Sequence, residues 1–109
     1  MREIKAIVRH ERVPEIFRAL HEIADLPGAT LSIVQGIGRR IDVSAESGGY
    51  GETVMAKLEL VVPTELVARV TAAIERSAHT GRPGDGKIFV IPVENAINVR
   101  TGSHGVDAL

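Results

Sequence analysis

The chain contains no cysteine and no tryptophan. No disulfide can staple it, no thiolate can act as nucleophile or ligand, and redox dithiol chemistry is excluded. Aromatic residues make up 3% of it, too few for a platform on which nucleobases stack in a row. Neither sign of charge dominates: 13 Lys and Arg stand against 14 Asp and Glu, interspersed along the chain. A sequence-independent nucleic-acid binder needs a basic stripe, so no nucleic-acid partner is expected. No apolar run approaches the roughly 20 residues that span a bilayer. Residues 1–9 lack the apolar core of a secretory signal. The expectation is a cytoplasmic protein without direct membrane insertion.

What is present fits one domain over residues 1–109. A domain of this size buries about two thirds of its unfolded surface, so association with further copies would help it. Residues 2–9 alternate, with Ile4, Ala6 and Val8 on one side, which predicts a strand. Val13, Ile16, Phe17, Leu20 and Ala24 lie on one helical face, with Pro14 in the first turn and Pro27-Gly28 as the stop. Residues 29–37 are rich in β-branched side chains and predict a second strand, after which Gly36 and Gly38 loosen the chain. Residues 39–52 have no apolar period and contain Ser47-Gly48-Gly49-Tyr50-Gly51. A loop that long inside a small domain is functional or disordered.

Residues 53–62 alternate again, with Ala56, Leu58, Leu60 and Val62 inward. Thr64 is placed as a helix N-cap, and Leu66, Val67, Val70, Ala73 and Ile74 form the second helical face. Residues 87–93 predict a fourth strand, with Pro92 marking an edge. Ile97 and Val99 suggest one more short extended piece. The order β-α-β-β-α-β is the ferredoxin-like split: an α+β fold with two helices on one face of a four-stranded antiparallel sheet. Fold alone decides no function.

The stretch Thr80-Gly81-Arg82-Pro83-Gly84-Asp85-Gly86-Lys87-Ile88-Phe89 carries the chemistry. Glycines let backbone N–H groups approach a ligand without an intervening Cβ, and several such groups form an anion-binding concavity. Lys87 adds a full positive charge. This combination points to phosphate, although it matches neither G-x-x-x-x-G-K-[ST] nor G-x-G-x-x-G. On spacing alone, a Gly-rich connection with a solvated lysine fits equally well. His10, His21, His79 and His104 show no metal-ligand spacing, and His10 and His104 are the better placed pair for a ligand. No nucleophilic triad and no convincing carboxylate pair is present, Glu46 and Glu52 included, so no enzyme and no catalytic residue is expected.

Residues 80–89, the strand that follows, and Val99-Arg100-Thr101-Gly102 closely resemble the C-terminal half of the PII family of signalling proteins. Gly36-Ile37-Gly38-Arg39 resembles that family's G-F-G-R at the base of its mobile loop. The resemblance implies a homotrimer that binds ATP or ADP, with AMP possible, in clefts between subunits. It implies that Gly84, Asp85, Gly86 and Lys87 line the phosphates, together with Gly36, Ile37, Gly38 and Arg39. Thr30 would lie near the adenine, and Arg100 would reach across from a neighbour. The mobile loop, about 39–52 with Tyr50, would dock on a target enzyme or membrane transporter in nitrogen, carbon or metal metabolism.

Departures from the family pattern qualify this. Asn98 replaces the first arginine of R-x-R-T-G, and Arg40 replaces a glutamine that helps hold Mg²⁺ and 2-oxoglutarate. Met55 stands near a lysine that pairs with 2-oxoglutarate. The loop is several residues shorter, and Tyr50 lies in an unfamiliar context. The use of Mg²⁺ stays open. The other reading is a ferredoxin-like trimeric module that binds a small molecule or metal and keeps a vestigial nucleotide site.

Overall fold

A computed structural model describes residues 1–39 and 50–109, with the backbone alone for residues 39 and 50–52. Strand β1 spans Arg2–Arg9, and Ile4, Ala6 and Val8 are its buried residues. A 3-10 turn, His10–Arg12, leads into helix α1, Val13–His21, which buries Ile16 and Leu20. Strands β2, Thr30–Arg39, and β3, Tyr50–Val62, pair antiparallel. A second 3-10 turn, Thr64–Leu66, precedes helix α2, Val67–Ala78, and strand β4 is Gly86–Pro92.

The sheet order is β2-β3-β1-β4, the ferredoxin-like arrangement expected. Its core lies between the helices and one sheet face. Ile4 and Val8 of β1, with Leu58 and Val62 of β3, meet Ile16 and Leu20 of α1 and Val70 and Ile74 of α2. Each large apolar side chain taken from water contributes about 1.5–3 kcal/mol. The pairing register puts Ser32, Lys57, Ile7 and Lys87 in one row across the opposite face. In the next row Thr30, Glu59, Lys5 and Phe89 stand side by side.

Several boundaries differ from the sequence reading. Helix α1 stops six residues before Pro27: the Ile23 N–H bonds the Leu20 carbonyl at 3.0 Å, and Asp25 turns to φ 61°. Ile23 therefore takes the core position, whereas Ala24 is exposed and Phe17 keeps 44% of its surface. Thr64 makes no side-chain cap; Leu66 N–H donates to the Pro63 carbonyl at 3.0 Å and a 3-10 turn opens α2 instead. Gly36 and Gly38 continue β2, opposite Thr53 and Gly51. Arg39 pairs with Tyr50, so the expected loop of 39–52 gives up both its ends to strands. The rest of it, residues 40–49 with Arg40 and Glu46, lies outside the described residues. Pro92 closes an edge strand, as expected. Ile97 forms a lone bridge with His104, while Val99 sits in a turn, 99% exposed.

Candidate functional site

The connection from α2 to β4 is organised by one carboxylate. Asp85 accepts the Thr80 N–H at 2.8 Å and the Gly81 N–H at 2.9 Å, and the Thr80 hydroxyl donates to it as well. Arg82 N–H closes on the Thr80 hydroxyl oxygen at 3.2 Å. Arg9, at the end of β1, donates Nε to Asp85 at 3.0 Å and Nη2 to the Pro83 carbonyl at 2.6 Å. Donors around a carboxylate favour its charged form. The Thr80 hydroxyl, then the Thr80 N–H, Arg9 and the Gly81 N–H, hold the Asp85 carboxyl well below the ordinary carboxylate range. His79 Nδ1 approaches the same carboxylate at 3.8 Å.

This places Asp85 differently from its expected role. Its carboxylate is spent on partners inside the turn, where it shapes the backbone. The Lys87 side chain is exposed and makes no hydrogen bond or ion pair among the described residues. The Gly84 N–H is likewise without a partner there. Gly84 and Gly86 hold φ of 98° and 102°, and a Cβ on Gly86 would lie 1.8 Å from the Ile7 carbonyl oxygen. Only glycine lets the chain enter β4 that close to β1. A groove of about 470 Å³ runs beside the turn between α2 and β4, lined in part by Thr71, Glu75, His79, Lys87 and Ile88.

The other expected site residues do not join this turn within one chain. Gly36, Ile37, Gly38 and Arg39 lie on β2, the opposite edge of the sheet, with β3 and β1 between. Ile37 is 72% exposed, and Gly36 packs against Met55, whose Cγ would touch a Cβ placed there at 3.0 Å. Thr30 starts β2, exposed, level with Lys5 and Phe89. Arg100 lies in a turn of the segment that follows β4, whose last residue, Pro92, pairs with Arg2. The Asn98 side chain accepts the N–H groups of Arg100 at 3.0 Å and Thr101 at 3.1 Å, and donates to the Ala108 carbonyl at 3.3 Å. So the residue that costs the family pattern a charge builds the turn carrying Arg100. Arg9 was not marked by the sequence, because a contact 76 residues away leaves no local pattern. Among the described residues no cluster of three or more His, Asp or Glu could hold a metal ion.

The family model for nitrogen regulatory protein P-II matches residues 1–103. The chain belongs to that family. Curated P-II proteins of Azospirillum brasilense and Rhodospirillum rubrum are 40% and 42% identical to it, over the whole of both chains. Among solved structures it is similar to the Bacillus subtilis GlnK–ATP complex: TM-score 0.84, 32% identity, covering 99% of this chain and 96% of that one. It is also similar to Arabidopsis thaliana PII bound to citrate: TM-score 0.83, 38% identity, covering 99% and 91%. These P-II relatives bear the names of regulatory proteins. No helix among the described residues is long and apolar enough to cross a membrane.

Proposed function

We propose that this P-II chain is a signalling protein that binds an adenine nucleotide through the turn at residues 80–87 and works as a homotrimer. The observation that carries the reading is the turn itself. Its acid is internally neutralised, while the Lys87 side chain and the Gly84 N–H are unpartnered among the described residues. Ammonium and backbone N–H donors together suit a polyphosphate. The similarity to a GlnK–ATP complex supports the choice of ligand.

The places of the remaining residues support assembly with further copies, and the P-II family supports three. Gly36, Ile37, Gly38, Arg39 and Thr30 are on one sheet edge, the turn is on the other, and Arg100 is in the segment after β4. In a closed ring, residues at the edges of one chain meet those of the next, so a divided site becomes whole. The open sheet face, with Ile7, Val34, Phe89 and Ile91 among its charges, also gains cover. The hairpin end at Arg39 and Tyr50 would pass the bound state to a target enzyme or transporter.

Calorimetry with ADP on the parent and on Lys87→Ala tests the site. Losing a charge-assisted phosphate contact costs about 1.5–3 kcal/mol, so affinity should fall about tenfold or more. Unchanged ADP affinity in the mutant would remove the turn from the phosphate site.

A further inference from the structure

Two arginines, Arg9 at the end of β1 and Arg12 in the 3-10 turn before α1, grip the α2–β4 connection at its start and its finish. Arg12 donates Nε at 2.9 Å and Nη2 at 2.7 Å to the Ser77 carbonyl, in the last turn of α2. Arg9 forks onto the glycine turn, with Nη2 on the Pro83 carbonyl and Nε on Asp85. The stretch between these grips contains Thr80, Gly81 and Gly84. The Arg9 side chain is 16% exposed, so its fork is held by its surroundings. Gly84 backs directly onto it: a Cβ there would sit 3.2 Å from Nη2. A guanidinium satisfies two acceptors from one rigid plane, which a lysine ammonium does not reproduce.

The fork does two things at once. It ties the turn to the end of β1, the strand that Gly86 and Lys87 pair with. It also sets a positive charge against Asp85, whose carboxylate would otherwise oppose an incoming phosphate. We infer that Arg9 is a positioning residue for anion binding: it holds residues 80–87 in the shape that leaves Gly84 N–H and Lys87 free for phosphate. This rests on the nucleotide reading above.

The test compares the parent with Arg9→Ala and Arg9→Lys, using ATP, ADP and AMP in calorimetry and backbone amide exchange without nucleotide. Arg9→Ala should lose tenfold or more in ATP affinity, with a smaller loss for AMP. Arg9→Lys, which keeps the charge but not the fork, should fall between. Amide exchange should quicken at Gly81, Gly84 and Asp85 and stay at parental rates in α1 and the β2–β3 pair. ATP bound as tightly by Arg9→Ala as by the parent would overturn the inference. So would equal losses for AMP and ATP with exchange raised throughout the sheet, because that marks a general stability role. If the parent binds no nucleotide, the nucleotide reading fails. The exchange pattern then still decides whether Arg9 shapes the turn.

Discussion

Gly86 tolerates no side chain, since its Cβ would overlap the Ile7 carbonyl and its φ is 102°. Backbone strain and overpacking at such a position together cost about 3 kcal/mol, a large share of a small domain's stability. Gly86→Ala should therefore lower the urea midpoint strongly, and a parental midpoint would mean β4 enters the sheet by another path. Asp85 makes a second prediction, this one in pH. Its folded pKa lies below the ordinary value, so its stabilisation is fully present above the unfolded value of about 3.9 and is lost as pH falls through the folded one. Thermal unfolding of the parent and Asp85→Asn should differ at neutral pH, and the gap should close in strong acid. A gap that widens toward acid would contradict the sign. At this scale the sequence showed the glycines, Asp85 and Lys87, because they sit together. It could not show Arg9, which reaches them only after β1 and β4 pair, nor that the carboxylate faces inward.

The elements were legible where hydrophobic periodicity was long and clean. Alternation in β1 and β3, and the face Val70, Ala73, Ile74 in α2, are the core as found. The misplacements fall where local chemistry had competitors. Pro27-Gly28 looked like the end of α1, but the chain had already left the helix through Asp25, and Ile23 replaced Ala24 in the core. Gly36 and Gly38 looked like a break, but cross-strand pairing with Thr53 and Gly51 carries β2 through them. Arg12 is the element-scale counterpart of Arg9, a cation bonded to the end of α2, where the helix dipole also favours it. Arg12→Ala should cost about 1–2 kcal/mol and quicken amide exchange at His79 and Thr80. Exchange unchanged there would mean the last turn of α2 holds without it.

At the scale of the whole molecule, the proposed site residues of one chain stand on two sheet edges and in the segment after β4. No single-sequence pattern reveals such a division; it appears only once the strand order is known. Met55 is 7% exposed and its side chain packs on Gly36, offering a dicarboxylate no charge at that point. ATP-dependent 2-oxoglutarate binding should therefore be absent, and a clear calorimetric signal for it with Mg-ATP would contradict this. The central claim, a phosphate site completed by a neighbouring copy, is tested most directly by mixing two defective chains. Lys87→Ala and Arg100→Ala should each bind ATP weakly alone. Co-expressed and assembled together, they form rings in which an intact turn from one chain faces an intact Arg100 from the other. The account predicts that the mixture regains parental ATP affinity at part of its sites. A mixture that binds no better than either mutant alone would show that the two residues do not meet across an interface.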